Sequence, residues 1–343
     1  MYLFSNEIVF ENHPDKMADR IACAILDEYL KQDPKTRAGI EVAGGKGIVF
    51  ITGEVTSKGT VTDETINQIV KRIVNDESGD NKSYQVINNL GKQSLDISMG
   101  VDVGGAGDQC NCFGFACNET ERLLPKAMCI LQDFSYEYTH TLYKNYRDKF
   151  RSDGKAQITG EYNEDMHLIK IKTFLVSYQN YEKEREFTDS LIKELINKIC
   201  QKYEVEVEEI LINPTGRFEV GGFEGDSGVT NRKLVVDSYQ SFAKIGGGGY
   251  WGKDPTKVDL SGPVKARELA IRYLSMYNLK WCEVQLSYAI GKEEPLSIYV
   301  NSDKGNIDVN FAVYQECTPR SIIETFTLNK PIYEDWVKRG LIY

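Results

Sequence analysis

The sequence predicts an α+β or α/β chain of two or three layered units. Helical and strand-like periodicities alternate along the whole length without segregating into halves. The 343 residues exceed one typical domain of about 150 residues. Two Gly-rich stretches, residues 100–114 and 213–259, stand where such units would join.

The elements follow in chain order. Residues 1–10 alternate (Leu3, Ser5, Ile8, Phe10) and read as an early strand, and Glu7 with no basic segment argues against a secretion signal. Pro14 suits a first helical position, and Met17, Ile21, Ile25 and Leu26 keep helical spacing, so a helix is expected over 14–31. Ile48 to Ile51 reads as a buried strand, continued by Gly53-Glu54-Val55. Ile66, Ile69, Val70 and Ile73 mark one face of a helix over 63–75. Residues 91–114 read as a loop with local strand character, and 119–150 as a longer helical region. Alternation returns at 157–162 and 168–176, followed by a helix over 188–202. A helix is expected over 261–277, with Ser261 as its cap and Pro263 in its first turn. Strands at 283–289 and 297–300 complete the series.

Composition narrows the function. Hydrophobic residues at 41% and charged residues at 27% describe an ordinary folded protein. No apolar run approaches the roughly 20 residues that span a bilayer, so no membrane role and a cytoplasmic address are expected. The eight cysteines are expected to be reduced and mostly buried. Cys110, Cys112 and Cys117 cluster, yet His13, His140 and His167 lie far from them in sequence, which leaves a zinc site short of ligands. A net charge of −10 argues against a nucleic-acid partner. Against that background Arg217, Arg232, Lys233, Lys244, Lys253 and Lys257 crowd into residues 213–259, which suggests a small anionic ligand.

Four segments carry candidate chemistry. From Gly246 to Asp259, Gly247 and Gly252-Lys253 stand at the spacing of a phosphate-cradling loop, in which glycines admit backbone N–H groups to phosphate oxygens. Asp254 follows where such a loop needs a Ser or Thr, so a standard P-loop is not expected. An anion site is favoured over a plain glycine turn because Lys253 and Lys257 recur among the glycines. Asn213-Pro214-Thr215-Gly216-Arg217-Phe218 opens a second glycine-rich loop, in which Phe218 either stacks on a base or packs in the core. Asn12-His13-Pro14-Asp15-Lys16 stands at a helix start, where Asp15 caps the helix or holds Mg²⁺. Gly104-Gly105-Ala106-Gly107-Asp108-Gln109 offers another close backbone approach with a carboxylate in it. No G-x-S-x-G or H-E-x-x-H occurs.

In this order, and together with Gly91-Lys92-Gln93-Ser94, Lys253-Asp254-Pro255-Thr256-Lys257-Val258-Asp259 and Ser287-Tyr288-Ala289-Ile290-Gly291, these segments resemble the methionine adenosyltransferase (S-adenosylmethionine synthetase) family. The resemblance covers nearly the whole chain. It implies three similar α/β units about a pseudo-threefold axis, here expected over residues 1–99, 104–220 and 221–343. It also implies a homodimer or dimer of dimers that shares its active sites across the interface. The reaction it implies is attack of the methionine sulfur on ribose C5′ of ATP, with the triphosphate displaced and then hydrolysed to phosphate and pyrophosphate.

Carried over residue by residue, the resemblance places His13, Lys155, Arg232, Lys233 and Lys253 in catalysis. Asp153, Arg217, Phe218, Asp226 and Gly249 join them around ATP. Glu54, Gln93, Asp108, Asp226 and Lys257 fall at methionine-binding positions. Asp15 and Asp259 match Mg²⁺ ligands, and Glu41 matches a K⁺ ligand. The chain departs from the family pattern at Asn12, Cys110, Asn231, Tyr250-Trp251 and Leu260, and its loop between Gln93 and Gly104 is shorter than the family's gate. Two rivals fit part of the inventory: a phosphotransferase using the 246–259 loop, and a non-catalytic regulatory homologue that binds nucleotide. The retained set of charged residues favours turnover over the second.

Overall fold

The computed structural model describes residues 1–92 and 104–342. Strand β1 (Tyr2–Val9) leads into helix α1 (Pro14–Gln32), as the alternation and the Pro14 signal predict. Strands β2 (Arg37–Gly45) and β3 (Ile48–Thr56) form a hairpin whose two loop residues, Lys46 and Gly47, both take positive φ. That is the twist a two-residue hairpin turn requires. Helix α2 (Asp63–Val70) is capped by Thr62 and continues in wider turns to Glu77, and β4 (Gln85–Gly91) follows. The central part comprises β5 (Cys110–Cys117), α3 (Lys126–Glu137), β6 (Phe150–Tyr162), β7 (Leu168–Asn180), α4 (Arg185–Lys202) and β8 (Val207–Ile212). After the short β9 (Gly228–Val229) come α5 (Val258–Tyr277), β10 (Trp281–Tyr288), β11 (Ser297–Ser302), α6 (Pro319–Phe326) and α7 (Tyr333–Val337).

These strands build three sheets, ordered β1-β6-β7-β8, β4-β3-β2-β9 and β11-β10-β5. Each sheet buries one face under a long helix: α1 lies on β2 and β9, α3 on β1 and β6, and α5 on β5 and β10. The result is three similar sheet-and-helix units. Sequence-local segments do not stay together, because β1 joins β6, β2 joins β9 and β5 joins β10. Among the described residues no helix is long and apolar enough to cross a membrane. All eight cysteines are free, and only Cys110 is not buried.

Three expectations need correction. The strand at Ile48–Ile51 is not buried on both faces: Val49 and Ile51 point inward, while Ile48 and Phe50 are exposed. The last long helix begins at Val258, with Lys257 as its cap residue, and Ser261 lies inside it. Burial of Val258 and Leu260 draws the chain into the helix early, and Pro263 then forgoes only the bond to the Asp259 carbonyl. The helical region predicted over 119–150 is confined to α3 and wider turns up to Tyr143, and β6 claims Phe150 onward. That longer strand carries Asp153 and Lys155 on β6.

Helix α1 is wrapped on nearly all sides and carries charge inside the protein. Lys16 donates to both oxygens of Asp237 at 2.6 and 2.7 Å, and Arg20 donates to Asn12 at 2.7 Å and pairs with Glu11 and Glu77. Buried charges of this kind are tolerable only when paired, so the first turns of α1 are locked in place. Helix α5 approaches β5 so closely that a Cβ at Gly114 would stand 2.0 Å from the Ala266 carbonyl carbon. Gly114→Ala is therefore expected to destabilise the fold by about 1–3 kcal/mol. Urea unfolding checks this, and an unchanged midpoint would contradict the close packing.

Candidate active site

At the start of α1, His13 is extended and its Nδ1 accepts from the Asp15 N–H at 3.2 Å. An accepting Nδ1 is unprotonated, so the neutral ring carries its hydrogen on Nε2. Burial, then the positive charges of Lys233 and Lys155, push the imidazole pKa down to about 3, against the opposing pull of Asp15. His13 is thus a neutral hydrogen-bond donor at ordinary pH. The Asp15 carboxylate is fully buried and accepts from the Val229 N–H at 2.9 Å, with Arg232 Nε paired to the same oxygen at 3.0 Å and Lys233 Nζ on its other oxygen. Burial alone would raise its pKa, but the Lys233 hydrogen bond and the Val229 N–H hold it below the usual carboxylate range.

Asp153 and Lys155 reach the same region from β6, where Lys155 pairs with Val9 in the register. Burial raises Asp153 to about 6, although the N–H groups of Gly222 and Gly154 favour its charged form. Asp226 is exposed and close enough to act on both His13 and Asp153 electrostatically. Phe218 is partly exposed and is held by its carbonyl, which accepts from the Asn180 N–H at 2.9 Å. The exposed Arg217 side chain is turned onto Glu219 at 2.6 Å.

A second cluster stands at the other end of β2. Lys253 Nζ contacts Asp259 Oδ2 at 2.7 Å, and Lys257 Nζ contacts Glu54 Oε1 at 2.8 Å. Both lie by Gly39, where a Cβ would come within 2.9 Å of the Lys257 and Glu54 head groups. At Gly248 a Cβ would stand 1.9 Å from Asp259 Oδ1, so only glycine lets the loop pass over that carboxylate. Gly249 is the next residue along. The 104–109 loop is docked alongside, with Gly107 N–H donating to the Thr256 carbonyl at 3.2 Å and Asp108 exposed. Gln93 lies outside the described residues.

Between the clusters runs the exposed face of the β2–β3–β4 sheet. Its rows are Gly45–Ile48–Gln85, Ala43–Phe50–Ile87, Glu41–Thr52–Asn89 and Gly39–Glu54–Gly91. Ile48, Phe50 and Ile87 are 44%, 37% and 38% exposed, so one end of this face is apolar and the other charged. The Glu41 carboxylate accepts from the Thr230 hydroxyl and stands in a row of oxygen-bearing side chains, a donor set suited to a hard cation. Asp15 and Asp259 are hard donors too. Among the described residues no three metal-ligating side chains converge. Each of these carboxylates could therefore hold a metal ion only with further oxygens from a bound ligand or water.

Several contributors went unread in the sequence. Asp254, taken as a mismatch, braces its loop instead: Oδ2 accepts from Ala38 N–H at 2.9 Å, and Oδ1 from Thr256 N–H and hydroxyl at 3.0 and 2.6 Å. The Asp-Pro-Thr order was the available signal. Asp19, one turn past Asp15, receives the Asn231 N–H at 2.7 Å. Spacing of i, i+4 on a helix start was its signal.

Two acid–cation clusters, glycine-lined and open to solvent on one side, define a candidate anion-handling site on a three-unit α+β fold. Comparison with known proteins supplies the family. Family models for the S-adenosylmethionine synthetase N-terminal, central and C-terminal domains match residues 1–95, 103–218 and 220–342. The chain is similar to the S-adenosylmethionine synthase of a Nitratiruptor species, at 38% identity over 99% of this chain and 92% of that one. The Helicobacter pylori (strain J99) S-adenosylmethionine synthase is 37% identical over 97% and 90%. Among solved structures, an unusual S-adenosylmethionine synthetase from Campylobacter jejuni superposes with a TM-score of 0.86 at 34% identity, covering 100% of this chain and 95% of that one. The chain belongs to the S-adenosylmethionine synthetase family, and its function is that of a methionine adenosyltransferase.

The buried neutral imidazole has a pH signature. Below its ordinary value of 6.5 the unfolded chain takes up a proton that folded His13 refuses until about pH 3. The stability it contributes is whole above 6.5 and is lost as pH falls through that window. His13→Asn keeps a capping acceptor and removes the titration, so its stability is expected to fall less steeply from pH 6.5 to 4. Parallel denaturation curves for both proteins would contradict this.

Proposed function

We propose that the chain joins ATP and L-methionine by attack of the thioether sulfur on ribose C5′, expelling triphosphate that is then hydrolysed to phosphate and pyrophosphate. The observation that carries this reading is the pairing of Asp15 with Arg232 and Lys233, and of Asp259 with Lys253. A thioether is neutral and has no proton to lose, so the attack needs no general base. The difficulty is negative charge on the leaving chain, and preorganised cations answer it.

Arg232, Lys233 and Lys253 turn from carboxylates to phosphate oxygens, Lys155 joins them there, and His13 donates Nε2–H beside the breaking C5′–O bond. Asp15 and Asp259, released from their cations, would hold Mg²⁺, and Glu41 with the Thr230 hydroxyl would hold K⁺. When bound, these ions add positive charge around the phosphate chain. Phe218 and the Arg217 backbone receive the adenine, with Asp153 and Gly249 beside the nucleotide. Glu54 and Lys257 meet the ammonium and carboxylate of methionine, with Gln93, Asp108 and Asp226 completing that side.

The two clusters are separated by four residues of β2, from Ala43 beside Val229 to Gly39 beside Lys253, or about 13 Å. The face that joins them is apolar at one end. Both features support a homodimer in which this face is covered and each site takes one cluster from each subunit; a dimer of dimers is the larger alternative.

A phosphotransferase would convert ATP to ADP, and a binding-only homologue would form no product. Incubation with ATP, methionine, Mg²⁺ and K⁺ is expected to give a methionine-dependent sulfonium compound. Lys253→Ala is expected to slow that formation by about 10²–10³ with the fold intact by circular dichroism. ADP as product, or a near-normal rate in the variant, would overturn the reading.

A further inference from the structure

Asn231 sits immediately before Arg232 and Lys233, at φ +62°. Asparagine tolerates this left-handed conformation better than other residues with a side chain. Its backbone N–H is tied to Asp19 Oδ1 at 2.7 Å, which fixes it to α1. Its side chain faces the other cationic loop. Oδ1 accepts from the N–H groups of Tyr250 at 2.8 Å and Trp251 at 2.9 Å, and Nδ2 donates to the Trp251 carbonyl at 3.1 Å. Lys253 is two residues beyond Trp251. One amide therefore ties the segment that carries Arg232 and Lys233 to the loop that carries Lys253.

The loop end of this tie is itself anchored in the core. Trp251 is fully buried, and its indole N–H donates to Asp237 Oδ2 at 2.8 Å. Lys16 lies 5.2 Å above the same ring, and Trp336 meets it edge-on at 5.9 Å. The Tyr250 hydroxyl is 2.9 Å from the Ser238 hydroxyl. Gly249 is fitted around the amide, since a Cβ there would be 2.5 Å from Asn231 Cγ. Asn231, Tyr250 and Trp251, three of the departures from the family pattern, thus form one connected unit.

We propose that Asn231 is a positioning residue for the triphosphate-binding cations, setting where Arg232 and Lys233 stand relative to Lys253 without touching substrate. The inference rests on the reaction proposed above. In the proposed dimer the two loops of one chain serve different sites, so the clamp acts on both sites at once. Misplacement of a positioning group by about 1 Å can cost on the order of 10²-fold in rate.

The test is steady-state sulfonium formation by the wild type, Asn231→Gly and Asn231→Asp, with thermal midpoints measured alongside. Asn231→Gly keeps the backbone conformation and removes all three side-chain bonds. It is expected to lower kcat by about 10- to 100-fold and raise KM for ATP, leaving KM for methionine little changed. Asn231→Asp keeps an acceptor for both N–H groups and is expected to restore most of the loss. Full kcat in the glycine variant, whatever its thermal midpoint, would overturn the proposal, as would equal losses in both variants. A wild type that forms no sulfonium product would instead bring down the reaction reading, and this inference with it.

Discussion

The structure depends on a carboxylate that cannot stand alone. Asp15 and Asp259 have side chains 0% and 5% exposed, and an ionised carboxylate so placed is costly without a partner. Each is answered by cations that have a second task. In the proposed reaction Arg232, Lys233 and Lys253 can leave for a phosphate chain only if something else meets the charge they abandon, as a divalent ion bound with that chain would. Binding of metal and of polyphosphate are then linked, because each relieves the charge imbalance the other creates. The same logic explains why the imidazole of His13 stays neutral: a protonated ring would add a further charge to a buried corner already holding Lys233.

The architecture serves this exchange by keeping its parts on rigid elements. Helix α1 offers Asp15 and Asp19 in successive turns to the backbone N–H groups of Val229 and Asn231, so one helix face positions the chain that carries Arg232 and Lys233. Strand β2 then spans from that place to Gly39, beside which Lys253, Lys257, Glu54 and Asp259 gather. The sheets interlock segments distant in sequence, which holds four loops in fixed relation without requiring them to be neighbours in the chain.

Much of the fold was legible locally. Pro14 and the Met17–Ile21–Ile25 spacing announced α1, and alternation announced β1, β6 and β7, since each of these buries one clear face. The errors came where burial or pairing overrode a local signal. Ser261 looked like a cap, yet the buried side chains of Val258 and Leu260 start the helix earlier. Ile48 and Phe50 looked like core because exposed apolar residues on a sheet face read the same as buried ones. In the site, glycine and charge occurring together drew attention to the 246–259 loop with Lys253, Lys257 and Asp259, and a helix start drew attention to Asp15, whereas the individual roles, that of His13 included, came only from the family resemblance. The roles of Asn231, Asp254 and Asp19 escaped notice because each holds backbone groups brought near only by folding, and nothing in the sequence neighbourhood names those partners.

In the proposed dimer the two cation sets of one site come from two different chains. Arg232→Ala and Lys253→Ala chains, each nearly inactive alone, can be unfolded together and refolded as a mixture. In a mixed dimer one site inherits both lesions and the other inherits neither. The account predicts sulfonium formation by the mixture well above the sum of the two separate proteins. Activity no greater than that sum, with mixed dimers demonstrated by mass, would contradict it.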